Sequence, residues 1–519
     1  METMESLINL WWRLPNISSP PWPPAVLLAT FLCVVGALSI CYLLHSLHLD
    51  VGKHKLGGQL PPGSLGIPLL GETLQFAFFS SGPIGSPLPF FSTRLRRYGP
   101  VFKTHLMGRP TAVSMDPELS KFLLANEGRS IRAYVPKSFN KILGPTVYLH
   151  GVSHRAFREL ANLSVSSNAV QKLHVDTIQE HFLACLKSWH QRSSAVLDAQ
   201  KHCREWAFTY SAKYFLGLEA NNPITAALMR DYFVLLNGYA SIPINLPGTT
   251  YNNIVKARGR ISSTIANLIR AKKKEDRKEE MDFLDILLKR TNGDGEHYSG
   301  LHVVDWVFAF VLGSYENTAL LFANILKFLS ENEHVVNELR REHFAIQKTN
   351  PNKAKLTWDD YRTMYFTKHV VKETLRMASI TQFLFRESLE DIYFKGILIP
   401  KGWMVLLNFS MVHFSSDYYT NPLQFDPWRW MCQDSTRNNI DFLVAFGGGP
   451  RMCPGSMLVM YEASIFIHHL VTLYKWKRVH EGGKQYDNVD CLSLPIMRNG
   501  LFLRLEPLDS NKWQKEQAS

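Results

Sequence analysis

The fold class this sequence predicts is mainly α-helical with small β-sheets, preceded by one N-terminal transmembrane helix, and three observations predict it. The run GLHVVDWVFAFVLGSYENTALLFANILKFLS (300–330) is long, largely apolar and free of proline, which favours a buried helix over strands. Short strand-like pieces such as DIYFKGILIPKGWMVLLNF follow a second helical stretch. AVLLATFLCVVGALSICYLL, Ala25 to Leu44, carries no charge, and a helix of ~20 residues spans the roughly 30 Å core of a bilayer.

Taken from the front, residues 1–24 read as a short lumenal tail and 25–44 as the anchor. A cleaved signal peptide is the competing reading. The apolar run exceeds the roughly 7–15 residues of a signal core, and the segment before it holds Glu2, Glu5 and only Arg13. Lys53 and Lys55, with His45, His48 and His54 nearby, place the bulk of the chain in the cytosol by the positive-inside tendency. Residues 45–75 form a basic, proline-rich hinge in which Pro61, Pro62, Gly63, Gly66, Pro68 and Gly71 fix or break the backbone at short intervals.

Residues 76–519 show no second linker or repeat and read as one large domain. TWDDYRTMYFTKHVVKETLRM is expected to be a single helix entered through Thr357 as N-cap, with Asp359 and Asp360 in its first turn. With 519 residues, 46% of them hydrophobic and 20% charged, the chain has globular proportions. The net charge of +12 suits an acidic partner or an anionic membrane surface, but no nucleic-acid-binding signature is present. The charge run RAKKKEDRKEEMDF mixes signs and reads as a solvated face. Cysteines at 33, 41, 185, 203, 432, 453 and 491 form neither CxxC pairs nor a short-spaced framework, which argues against zinc and against a disulfide scaffold.

One cysteine stands apart. FGGGPRMCPG (446–455) fits F-x-x-G-x-R-x-C-x-G at Phe446, Gly449, Arg451, Cys453 and Gly455. A thiolate on iron needs backbone N–H groups directed at sulfur and no bulky side chain between it and a porphyrin, and glycines on both sides meet that need. A free cysteine in a turn explains the position alone but not the full match.

On this loop the chain resembles the cytochrome P-450 superfamily of haem-thiolate monooxygenases, from the hinge to about residue 506. The resemblance implies the cytochrome P-450 fold, with haem b between the long helix and the cysteine loop and Cys453 as axial ligand to the iron. It implies that Arg451 pairs with a haem propionate, as do Arg386 and the pair His154 and Arg158, with Arg155 an alternative donor. Read alone, His154 and Arg158 are also compatible with an amphipathic surface face. Glu373 and Arg376, three apart in KETLRM, are by themselves a common surface pair; with Arg429 in FDPWRW they match the superfamily's Glu-Arg-Arg network.

The stretch VLGSYENTALL departs from the family, which usually has an acid followed by an alcohol that relay protons to bound oxygen. Here Glu316 supplies the acid, Asn317 takes the alcohol position and Thr318 follows. An amide orders water but does not ionise. Thr318 is offset by about 100°, so it serves only if the helix distorts, which Gly313 and Ser314 permit. A plain apolar core is the other reading, and a carboxylate in an apolar run argues against it.

Further likeness is to the plant branch that hydroxylates steroids, closest in appearance to the brassinosteroid 22-hydroxylases. It implies an endoplasmic-reticulum enzyme acting on a sterol side chain near C-22, in brassinosteroid or steroidal-saponin metabolism. Electrons would come from NADPH through the flavoprotein NADPH-cytochrome P-450 reductase, and the hydrophobic sterol would enter from membrane lipid. Substrate-contacting regions carried over include Tyr134, Leu246, Phe310, Gln382, Phe383 and Met497, which also suit ordinary core or a terpenoid pocket. A terpenoid hydroxylase, a haem-thiolate isomerase or lyase independent of O2, and a catalytically silent haem or sterol-binding protein are the alternatives.

Overall fold

The structure, a computed structural model, describes residues 58–67, 70–144, 146, 149–166, 174–191, 196–238, 241–275, 282–291, 300–349, 355–431, 443–479, 488–490 and 494–509, together with helical positions 29, 30, 32, 33, 36, 37 and 40. Of the expected anchor, those positions include the exposed Leu32 and Ile40. The rest of that segment, the expected tail 1–24 and the hinge before residue 58 lie outside the described residues.

The site is framed by helices α1 (Pro117–Ala125), α2 (Gly151–Val165), α3 (Val175–Gln191), α4 (Ala199–Leu216), α5 (Thr250–Glu275), α6 (Gly300–Ser330), α7 (Glu333–Thr349), α8 (Tyr365–Ala378) and α9 (Ser456–Leu473). The run expected at 300–330 is helical throughout and is the spine, packed along α4 and against α5, α8 and α9. Val307, Phe308, Val311, Tyr315, Ile325 and Leu326 on α6 are inaccessible to solvent, each large apolar side chain contributing roughly 1.5–3 kcal/mol of burial. Phe182, Trp206, Phe322 and Phe466 lock α3, α4, α6 and α9 together, with successive ring centroids 3.9, 5.0 and 4.9 Å apart. Helices α6 and α9 are long and apolar enough to cross a membrane, but most of each is buried inside the domain, as core helices are.

The single helix expected from Thr357 is two. Thr357 forms a capping box with Asp360, as its sequence position suggests, and opens a short helix, Trp358–Thr363. The chain then breaks at Met364 and restarts as α8. Glu342 on α7 accepts the N–H groups of Phe366 and Thr367 at 2.7 and 2.9 Å. A tertiary carboxylate thus caps a second helix start, which no local pattern reveals.

A five-stranded sheet contains β1 (Val101–Leu106), β2 (Arg109–Ser114), β3 (Ile131–Ala133), β4 (Phe383–Ser388) and β5 (Met404–Asn408) in the order β1-β2-β5-β4-β3. The β2–β5 pair is parallel and the others antiparallel. The expected strand pieces supply β5 and a hairpin, Ile392–Phe394 with Ile397–Ile399. Register sets Arg386 between Ala133 and Val405, which aims β4 toward the turn that follows α1.

Candidate active site

The cysteine loop is closed by its own backbone. Cys453 N–H donates to the Phe446 carbonyl at 2.9 Å, and Met452 N–H to that of Gly449 at 3.1 Å, around a single 3-10 turn at Gly449–Arg451. Gly449 adopts φ +64°, and any side chain there would collide with the Leu124 carbonyl at the end of α1. The loop is therefore seated on α1 by a contact only glycine permits.

Helix α9 begins at Ser456 with Gly455 as an N-cap that offers no side chain, and the N–H groups of Gly455 and Ser456 point at the Cys453 sulfur. Burial pushes the Cys453 thiol up from its ordinary range, while the two N–H groups and the Arg158 cation pull it down. Cys453 is nonetheless accessible. A thiol both crowded by protein and open to solvent lies in a recess, where a ligand can reach it.

Cations surround that recess. On α2, Arg158 donates to the Met452 carbonyl at 2.5 Å. His154 lies one turn earlier, half-buried; burial, then the Arg451 and Arg158 charges, lowers its pKa to about 4. Arg386 and Arg451 converge on a residue that sequence reasoning missed, Glu127, whose two oxygens accept from their Nε atoms at 2.8 and 2.7 Å. Arg155 is exposed; with Arg129, Arg132, His150 and His154 it lines an open basic cavity of about 510 Å³.

Glu373, Arg376 and Arg429 meet in the interior, with Glu373 and Arg376 fully buried. Arg376 clasps Glu373 through Nε and Nη2 at 3.0 and 2.8 Å, and Arg429 Nε joins at 3.0 Å. Trp430 Nε1 and the Asp426 N–H, both 3.0 Å away, complete five bonds to one carboxylate. Other guanidinium hydrogens go to carbonyls of His413, Pro422, Thr420, Asn421 and Gln424 and to the Met377 sulfur. Trp430, beside the recognised motif arginine, is a further donor the sequence did not single out.

On α6 the stretch 311–318 remains regular helix, without the distortion that would bring Thr318 into the alcohol position; Thr318 is buried. Gly313 and Asn317 are exposed although the surrounding helix is core, and nothing lies within 4 Å of where a Gly313 side chain would be. Half-buried Ala309, one turn earlier, extends this open strip. Asn317 donates to the Gly313 carbonyl at 3.3 Å. Glu316, only 1% exposed, turns toward α4, where Arg204 donates to its Oε1 through Nε at 2.8 Å and Nη2 at 2.5 Å. Its Oε2 is buried with no partner among the described residues. Burial raises the Glu316 pKa, and Arg204 opposes the rise.

The expected substrate contacts divide. Phe310 stacks on Phe157 and Phe215, with centroids 4.9 and 5.7 Å away, and Met497 is buried and bracketed by Gln200 through two 3.0 Å bonds. Phe383 packs against Phe76, Phe91 and Phe385, and buried Gln382 gives its carbonyl to Phe409 N–H. Tyr134 lies under the Arg109 guanidinium at 4.6 Å, and Leu246 is exposed. Packing accounts for Phe310 and Met497 in particular.

An accessible thiol receiving two backbone N–H groups, in a glycine-lined recess flanked by guanidiniums, fits an iron porphyrin bound through sulfur and through its carboxylates. Fold and site together define the haem-thiolate class. The Cytochrome P450 family model matches residues 61–497, and the chain belongs to that family. It is 35% identical to Cytochrome P450 724B1 of Oryza sativa subsp. japonica, over 93% of this chain and 98% of that protein. It is 32% identical to the Cholesterol 22-hydroxylase CYP90B27 of Paris polyphylla, over 88% and 93%. Among solved structures, the retinoic acid-bound cyanobacterial CYP120A1 superposes with a TM-score of 0.77 at 25% identity, over 87% of this chain and all of that one. The protein is a P450 monooxygenase using haem b, a cysteine thiolate and electrons from a redox partner.

Proposed function

We propose that this monooxygenase hydroxylates the side chain of a sterol, in the C-22 region, in brassinosteroid or steroidal-saponin metabolism. The observation that carries this reading is the near full-length similarity to a cholesterol 22-hydroxylase. The strip of Ala309, Gly313 and Asn317 on α6 supports it, because small residues there leave room for a flat, rigid ligand.

The geometry supports the following residue roles. Cys453 would ligate the iron, with the Gly455 and Ser456 N–H groups stabilising its thiolate. Arg158, Arg386 and Arg451 would hold the propionates and His154 would contribute a neutral donor, while Phe446 and Gly455 shape the loop. The Glu373, Arg376 and Arg429 network is structural. When bound, the haem supplies oxygen activation, favoured by electron donation from sulfur. Asn317 orders water on the open face of α6. Glu316 offers Oε2, the atom that Arg204 leaves free, for proton handling, and Thr318 is buried near it in the chain.

Residues 25–44 anchor the protein in the endoplasmic-reticulum membrane, with 1–24 lumenal, 45–75 a hinge and 76–519 the cytosolic catalytic domain that receives electrons from NADPH-cytochrome P-450 reductase. Exposed Leu70 and Leu74 at the end of the hinge, Phe78 and Phe79 just after it, and exposed Ile242, Ile244 and Leu246 support a lipid-facing surface. Microsomes containing the protein and a reductase, fed a panel of sterols and analysed by mass spectrometry, test the substrate. A side-chain hydroxysterol is the expected product; oxidised terpenoids with no oxidised sterol would overturn the assignment.

A further inference from the structure

Glu127 is the one acid at the cationic end of this site among the described residues that line it, and its side chain is only 5% exposed. Its Oε1 accepts from Arg451 Nε at 2.7 Å and from the Ala133 backbone N–H at 2.8 Å, and its Oε2 accepts from Arg386 Nε at 2.8 Å. The donors come from the cysteine loop, β3 and β4, and Glu127 itself stands just beyond α1. One carboxylate therefore ties four chain segments. Arg451 extends the knot to the Leu149 carbonyl and to His150, ahead of α2.

A charge count gives the arrangement a purpose. Arg158, Arg386 and Arg451 bring three positive charges and Glu127 removes one, leaving two for the two propionates of haem b. His154 adds none at neutral pH, with its pKa near 4. Arg132 shares Glu387 with Arg109, at 2.6 and 2.7 Å, and is half exposed; Arg129 and Arg155 are exposed, and water and salt screen all three.

We propose that Glu127 is a positioning residue for haem, fixing the Arg386 and Arg451 guanidiniums before the cofactor arrives and matching the charge of the cationic end to two carboxylates. This rests on the reading of Arg386 and Arg451 as propionate partners. Holding the guanidiniums ready lowers the ordering cost of binding, and an uncompensated positive charge beside the porphyrin would favour the ferrous over the ferric state.

The test compares wild-type holoprotein with Glu127→Gln and with Glu127→Gln/Arg386→Gln, the latter removing an acid and a cation together. In Glu127→Gln, transfer of haem to apomyoglobin is expected to quicken about ten- to a hundredfold, the usual scale for lost outer-shell support, and the ferric/ferrous potential is expected to move positive. The double variant should return the potential toward wild type while haem still leaves quickly. A Glu127→Gln potential equal to wild type, with only a lowered melting temperature, would assign Glu127 to packing and overturn the proposal. Should Glu127→Gln fail to accumulate as holoprotein, recovery by the double variant supports charge matching, and failure of both overturns it. A wild-type protein without a haem-thiolate spectrum defeats the haem reading itself; a normal wild-type spectrum with an indistinguishable Glu127→Gln defeats only the role of Glu127.

Discussion

Two buried carboxylates, Glu373 and Glu316, each sit against arginine, and they are finished differently. Glu373 receives five hydrogen bonds over both oxygens from Arg376, Arg429, Trp430 and the Asp426 N–H. Glu316 receives two, both from Arg204 and both on Oε1, and its Oε2 is left bare. A fully bonded buried charge rigidifies what surrounds it, whereas an unpaired buried oxygen is costly and is retained where it serves chemistry. The contrast fits a structural role for Glu373 and the proton-handling role proposed for Glu316.

The largest expected effect is on the finished site. Glu373→Gln strands two buried guanidiniums and is expected to cost about 3–5 kcal/mol, seen as loss of bound haem and a lower urea midpoint. Glu316→Gln should keep the haem, while sterol turnover with reductase falls on the order of a hundredfold, the scale of general acid–base catalysis. If Glu316→Gln loses haem as readily as Glu373→Gln, the contrast is broken.

Acid sharpens the contrast through its sign. His413 beside Arg376, and His343 on α7, are each pushed from 6.5 to about 3, by burial first, and His174 to about 4. Groups held below their unfolded value contribute stability that is full above about pH 6.5 and is lost as pH falls toward those folded values. Glu316, raised by burial, works the other way, its cost growing as pH rises above its ordinary range. The melting temperature should therefore fall between pH 6.5 and 5; a rise over that interval would contradict the neutral burial of these histidines.

The smallest effect is expected at Asn317. Asn317→Thr places a hydroxyl on the open face of α6 and should alter coupling of NADPH use to product a few-fold, measured as peroxide released per hydroxysterol. Unchanged coupling would show that the position does not limit proton delivery.

What the sequence made legible was local or carried by a dense motif. The long apolar run gave α6 to its ends, Thr357 and Asp360 lie close enough to declare their cap, and the loop at 446–455 holds glycines whose spacing has a geometric reason. Glu127 and Arg204 were not legible, because their meaning comes from partners 324 and 112 residues away. The break at Met364 was hidden for the same reason, since its cap is Glu342 on another helix. Phe310 illustrates the converse: the sequence leaves an aromatic open to ligand contact or to core, and only the structure shows the rings of Phe157 and Phe215 stacked on it.

Both carboxylates matter only if the sulfur at Cys453 holds iron. The reduced, carbon monoxide-bound spectrum of wild type and Cys453→Ser tests this most directly. Wild type should show the red-shifted Soret band of a thiolate-ligated haem, and Cys453→Ser should lack it. The same band persisting in Cys453→Ser would contradict the assignment of the ligand.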